Sequence, residues 1–261
     1  MSADRRGRRT QDFSGRLIKI CGLNSRESVA AAVEAGADML GLVFFPKSPR
    51  HLGFREAAEL VAQARRGAAD VGIVALTVDA SDDELAAIVE SIEPDWLQLH
   101  GKETPERVAM LRGRFGASHT ETPDRPDAAH AGAPRGLNLP GSRIRVMKAI
   151  GIAGESDVAL AQRFAPTADM LLLDAKPAAG MALPGGNGLV FDHRLIAGRE
   201  FGIPFMLSGG LDASNVAAAV RLVHPQGVDV SSGVESAPGV KDAARIGAFV
   251  RAAREALDMN G

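Results

Sequence analysis

The stretch Leu17-Ile18-Lys19-Ile20-Cys21-Gly22-Leu23-Asn24-Ser25 decides how the rest of the chain is read. Residues 17–20 are short, β-prone and mostly apolar; Gly22 turns the chain, and Asn24 or Ser25 can cap a following helix. Cys21 therefore ends a strand that leads straight into a helix. Residues 25–35 have helical spacing and stop at Gly36, and residues 38–43 (DMLGLV) form a continuous apolar run of the kind buried on both faces. Strand, helix, strand is the unit of a parallel sheet.

The unit recurs along the chain. Further strands are expected over 72–78, 95–99, 145–150, 169–174, 203–208 and 227–231. Helices are expected over 54–66, over 82–91 behind a Ser81 cap, from Thr104-Pro105-Glu106, and over 155–164, 192–199, 213–223 and 241–257. Thr104 offers half a capping box, since Arg107 and not an acid stands three residues on. Eight strands alternating with eight helices predict one α/β domain, a single (β/α)8 TIM barrel, because parallel strands need crossovers and eight of them close the sheet. An open doubly wound sheet is the alternative, and the absence of Gly-x-Gly-x-x-Gly after the first strand weakens it.

Composition fits one large core: 261 residues, 46% hydrophobic, with a formal net charge of −2. Such a balance gives no basis for a nucleic-acid or membrane partner and favours a small-molecule substrate. One cysteine excludes an internal disulfide, and six scattered histidines suggest no metal site, so the chain reads as cytoplasmic and free of metal. Residues 1–16, rich in arginine and poor in apolar side chains, read as a disordered basic tail, with a nucleic-acid arm as the sharper alternative. Residues 116–142 break the strand–helix rhythm with proline, glycine and charge. They fall between the fourth helix and fifth strand, on the stability face of a barrel, and read as a flexible insertion away from the chemistry.

In a barrel the strand C-termini and the loops after them hold the site. Those positions are Cys21, the 46–52 loop with Arg50, His100, Lys148, Asp174, Ser208-Gly209-Gly210 and Ser231-Ser232-Gly233. Gly209, Gly210, Ser231, Ser232 and Gly233 follow the last two strands, where barrels commonly hold phosphate and where glycine lets backbone approach an anion. Two tight turns are the plainer reading. Asp174 ends a run of three leucines, so its carboxylate should face the pocket as an acid or base, or else cap a helix or pair with a cation. Lys19 and Cys21 share a strand face, and a neighbouring ammonium favours thiolate; the competing reading pairs Lys19 with a barrel carboxylate and leaves a thiol. Arg50 can fork onto a substrate carboxylate or lie solvated at the surface.

These residues sit in motifs that occur in order: KICG (19–22), GADMLGLVFFPKSPR (36–50), LQLHG (97–101), KAIG (148–151), LLLDAK (171–176), GGNG (185–188), LSGGL (207–211) and DVSSGVE (229–235). Together they make the chain closely resemble the phosphoribosylanthranilate isomerases of tryptophan biosynthesis. The resemblance implies a cofactor-independent Amadori rearrangement of N-(5′-phosphoribosyl)anthranilate, with Cys21 as general base and Asp174 as general acid. It also places Arg50 at the anthranilate carboxylate and Gly209, Gly210, Ser231, Ser232 and Gly233 at the phosphate, and makes the 184–188 loop a closing flap. Members occur as monomers and homodimers, and either is expected here. The related histidine-pathway isomerase is the nearest rival, and Cys21 stands where that enzyme carries aspartate. A non-catalytic phosphosugar-binding scaffold is the rival of another class.

Overall fold

The computed structural model describes residues 16–116, 144–176 and 191–259. Eight parallel strands close into a barrel in sequence order: β1 (Leu17–Cys21), β2 (Met39–Phe44), β3 (Gly72–Thr77), β4 (Trp96–Leu99), β5 (Arg145–Ile152), β6 (Met170–Ala175), β7 (Phe205–Leu207) and β8 (Gly227–Val230). β1 pairs with both β2 and β8, which completes the ring. Around it lie α1 (Arg26–Glu34), α2 (Phe54–Gly67), α3 (Asp82–Ile92), α4 (Pro105–Gly116), α5 (Glu155–Arg163), α6 (Val216–Val223) and α7 (Ala243–Met259). A small antiparallel hairpin, β9 (Glu235–Ala237) and β10 (Val240–Lys241), interrupts the path from β8 to α7.

The helix starts follow from side-chain chemistry. Ser25 and Ser28 form a reciprocal capping box on α1, and Ser81 with Glu84 does the same on α3. Thr104 Oγ1 accepts the Arg107 N–H at 3.3 Å, the half of the box that its sequence allows. The sixth crossover departs from expectation. Residues 192–199 do not form an α-helix: Asp192 caps only a single 3-10 turn, His193–Leu195, and Gly198 at φ 69° turns the chain away. Ile196 is buried all the same, so this segment covers the sheet with one turn and a loop. Helices α6 and α7 begin at Val216 and Ala243, later than expected, because a side-chain-bonded turn at Asp212 and the hairpin take up the residues before them.

The foot of the barrel carries a repeated device. Asp38, Asp95 and Asp169, each just before an even-numbered strand, accept the N–H of Ile18, Ile73 and Val146 in the preceding odd strand at 2.8–2.9 Å. Gln226 accepts Phe205 N–H at 3.0 Å in the same place before β8. Each of these bonds satisfies a strand-end donor that the parallel ladder leaves over.

The interior is layered. Leu17, Met39, Val74, Trp96, Met147, Met170, Leu172 and Met206 fill the lower part. Above them the inward positions turn polar, with Lys19, Gln98, Ser208 and Asp229 all buried. The mouth is lined by Cys21, Val43 and Leu76, with Phe45 and Val78 against them. The expected tail lies outside the described residues except for Arg16, and the expected insertion lies outside them except for Gly116. So does the 184–188 loop read as a flap.

Candidate active site

Cys21, Arg50, Gln98, His100, Asp174, Ser208, Asp229 and Ser231 open onto one cavity at the C-terminal mouth, with Val43, Phe45, Leu76 and Val78 as its apolar wall. Strand register produces this gathering. Residues two apart on a strand share a face, so Lys19 and Cys21 both point inward, as do Leu172 and Asp174. Cys21 and Asp174 come from β1 and β6, on different sides of the ring.

Asp174 is almost fully buried, and its Oδ1 accepts the N–H of Ala175 at 2.8 Å. Its Oδ2 faces His100 Nε2 at 3.5 Å, and Gln98 Nε2 lies 3.2 Å from the other ring nitrogen, Nδ1. Asp174 therefore presents a buried, oriented carboxyl group at the cavity wall.

Lys19 does pair with a barrel carboxylate: its Nζ donates to Asp229 Oδ1 at 2.6 Å, and Ser208 Oγ donates to Asp229 Oδ2 at 2.9 Å. Burial works against the lysine's charge, but Asp229 and then Cys21 outweigh it and hold the ammonium above the ordinary lysine value. The expectation that Lys19 lowers the thiol is only half met. Burial is the larger effect and pushes the Cys21 thiol up, against the opposing pull of Lys19 and Lys241 and with Asp229 adding to the rise.

Arg50 is not a solvated surface group. Its Nε and one terminal nitrogen make a bidentate, buried pair with Glu235, each bond 2.7 Å. The glycines after β7 adopt the backbone their loop requires: Gly209 has φ 90° and Gly210 φ 63°. A Cβ on Gly209 would lie 2.5 Å from the backbone nitrogen of Ala175 and 3.0 Å from Asp174 Oδ1, so this loop packs directly on the Asp174 carboxyl group. Ser232 and Gly233 lie in the single 3-10 turn that follows Ser231, across the β7–β8 seam from those glycines.

Lys148 is not brought to this cavity. Its side chain points outward from β5 and donates to Glu103 Oε2 and Gly101 O at 2.8 Å and to Leu99 O at 3.2 Å. Conversely, Glu235 and Lys241 belong to the site's charge network and were not expected there. Lys241 was read as the start of the last helix; the Pro238-Gly239 turn between two short extended pieces was the available signal for a hairpin. Among the described residues, no group of three or more His, Cys, Asp or Glu side chains is arranged to hold a metal. No helix among them is long and apolar enough to cross a membrane.

A closed barrel with a thiol and a carboxyl group facing one cavity, beside glycine and serine loops on its last two strands, defines an acid–base enzyme of the (β/α)8 class. A family model described as N-(5′-phosphoribosyl)anthranilate isomerase matches residues 18–125 and 135–252. The chain belongs to that family. It is 52% identical over 242 residues to N-(5′-phosphoribosyl)anthranilate isomerase of Cereibacter sphaeroides, covering 93% of this chain and all of that one. The Nitrobacter winogradskyi enzyme of the same name is 49% identical over 240 residues, covering 92% and 93%. The crystal structure of the Thermotoga maritima phosphoribosyl anthranilate isomerase superposes with a TM-score of 0.73 at 30% identity, covering 92% and 98%. A structure of such an isomerase in complex with reduced 1-(o-carboxyphenylamino)-1-deoxyribulose 5-phosphate superposes with a TM-score of 0.71 at 29% identity and the same coverage.

Proposed function

We propose that this barrel carries out the family's isomerisation, the Amadori rearrangement of N-(5′-phosphoribosyl)anthranilate in tryptophan biosynthesis, with Asp174 as general acid and Cys21 as general base. The observation that carries the assignment of roles is their shared cavity: one buried carboxyl and one buried thiol face it from different sides.

The chemistry needs one proton delivered and one removed. Asp174 gives its proton to the ribose ring oxygen; the C1–O bond breaks while the anilino nitrogen's lone pair forms C1=N. Cys21, as thiolate, takes the proton from C2, and the electron pair of that C–H bond runs into the iminium to leave an enolamine. The enolamine tautomerises to the ketone at C2 as C1 gains a proton, so the sequence is balanced without a cofactor. Each positioned acid or base contributes typically ~10²–10⁴-fold.

The remaining residues hold the two ends of the substrate. Arg50 meets the anthranilate carboxylate with its guanidinium plane already set by Glu235. Gly209, Gly210, Ser231, Ser232 and Gly233 take the phosphate, at the pair of loops where barrels commonly place one. The protein works in the cytoplasm, as a monomer or a homodimer, on a small phosphoribosyl substrate and on neither nucleic acid nor membrane; a Thermotoga maritima relative is described as dimeric.

Turnover of N-(5′-phosphoribosyl)anthranilate, coupled to the next pathway enzyme, tests the roles when Cys21→Ser and Asp174→Asn are assayed beside the parent. Loss in both variants supports the assignment. A variant that turns over like the parent removes its residue from the mechanism.

A further inference from the structure

The hairpin after β8 places a buried charge cluster beside the base. Glu235, at the start of β9, receives Arg50 on both oxygens and also receives Lys241 Nζ on Oε1 at 2.8 Å and Gly239 N–H on Oε2 at 3.2 Å. Lys241 has no exposed side-chain surface. Its ammonium donates to Glu235 Oε1, to Ser231 O at 3.0 Å and to Ser231 Oγ at 3.3 Å, so three donors meet three acceptors. Gly239 turns the hairpin at φ 79°, and a Cβ there would lie 2.6 Å from Pro49 O, which seats the hairpin on the loop that carries Arg50.

The balance of charge around Cys21 gives this cluster a role. On its own strand stands Lys19, from β8 comes Asp229, from the loop after β2 comes Arg50, and from the hairpin come Lys241 and Glu235. His100 and Asp174 face the same cavity from β4's end and from β6. Lys19 and Asp229 neutralise each other at 2.6 Å. With all three ionised, Arg50, Lys241 and Glu235 leave one positive charge in excess where Arg50 and Ser231, to which Lys241 is bonded, line the cavity with Cys21. Burial holds the Lys241 ammonium below the ordinary lysine value, with Glu235 and then Cys21 pulling the other way. Burial opposes the carboxylate of Glu235, but Arg50 and Lys241 outweigh it and hold the group below the ordinary glutamate value, so it serves both cations as an anion.

We propose that Lys241 is a positioning residue for the base: clamped by Glu235 and Ser231, its ammonium supplies the excess positive charge against which Cys21 ionises, while the same Glu235 fixes Arg50. The inference rests on the reading of Cys21 as base. It ties the base and the carboxylate anchor to one hairpin, so the two are set together.

The single cysteine makes the test direct, because ultraviolet thiolate absorbance of the full-length protein reports Cys21 alone. Lys241→Met should move the thiolate midpoint up by about one pH unit, a tenfold loss of thiolate below the midpoint, and Lys241→Arg should recover most of it. Lys241→Gln, which keeps a donor for Ser231 and lacks the charge, should raise the midpoint as Lys241→Met does. A folded Lys241→Met protein that titrates like the parent overturns the proposal. If Lys241→Met does not fold, Lys241→Gln decides alone, and an unmoved or lowered midpoint overturns it. Rate and titration separate this inference from the one beneath it. If the kcat/KM profile moves with the thiol in these variants, both hold. If the thiol moves and the profile does not, the charge assignment stands and Cys21 is overturned as base.

Discussion

Asp174 is held in place by its own chain: the Ala175 N–H fixes Oδ1, and the remaining oxygen faces His100. Asparagine keeps the shape and loses the proton. Asp174→Asn should therefore lower kcat by roughly 10²-fold or more while product-analogue affinity stays within a few-fold, measured by steady-state kinetics and calorimetry. A parallel loss of affinity would assign Asp174 to binding instead. Cys21 makes the opposite demand, since only its ionised form is a base. Burial pushes its thiol above the ordinary value, and Lys19 and Lys241 oppose that without reversing it. Below the midpoint the thiolate fraction grows tenfold with each pH unit. The thiolate absorbance of the free protein should therefore rise into alkaline pH, with its midpoint above the ordinary thiol value. A midpoint at or below that value would show that Lys19 and Lys241 reverse the effect of burial.

Hydrogen-bonding side chains at the foot of the barrel join its strands in pairs, β1 to β2, β3 to β4, β5 to β6 and β7 to β8. Removing one leaves a buried strand N–H without its partner, which costs ~1–3 kcal/mol. Asp95→Ala should thus lower Tm by about 2–4 °C for each kcal/mol lost, with kcat unchanged because the site lies at the other end; Asp95→Asn, which keeps an acceptor, should recover most of it. An unchanged Tm in Asp95→Ala would show that the Ile73 N–H finds another acceptor. Elements of this kind explain what sequence could and could not reveal. All eight strands were legible because buried parallel strands read as continuous apolar runs, and Ser25 and Ser81 marked helix starts by cap chemistry. The sixth crossover was not, since residues 192–199 have helical spacing while Gly198 ends the turn early. Cys21, Arg50, Asp174 and Ser231, expected from strand ends and the loops after them, line one cavity. Lys148 was misplaced because a strand end does not reveal which face a side chain takes, and it faces outward. The Arg50–Glu235–Lys241 cluster joins residues 185 and 6 positions apart, and no local pattern encodes the longer of those contacts.

At the scale of the whole barrel, the two ends do separate work: side-chain clamps close the foot, and buried charges and loops build the mouth. Lys19, Asp229, Arg50, Glu235 and Lys241 are buried at the mouth as mutually bonded ions, and a ligand that binds there adds to what they hold. A ligand that binds only the folded barrel then raises global stability by mass action, about 2.7 kcal/mol at a hundredfold excess over Kd. For a domain of this size that corresponds to a rise in Tm of roughly 5–10 °C with a product analogue. Cys21→Ser should keep that rise, because the role proposed for the thiol is at the C2 proton and not at the anionic ends of the ligand. Gly209→Ala should lose most of it: a Cβ at φ 90°, 2.5 Å from the Ala175 nitrogen, displaces the loop proposed to take the phosphate, together with Asp174, on which it rests. Thermal melts of the parent and both variants, with and without the analogue, read this directly. A full rise in Gly209→Ala, or its loss in Cys21→Ser, would place the anion away from the β7–β8 loops and against the β1 side of the mouth.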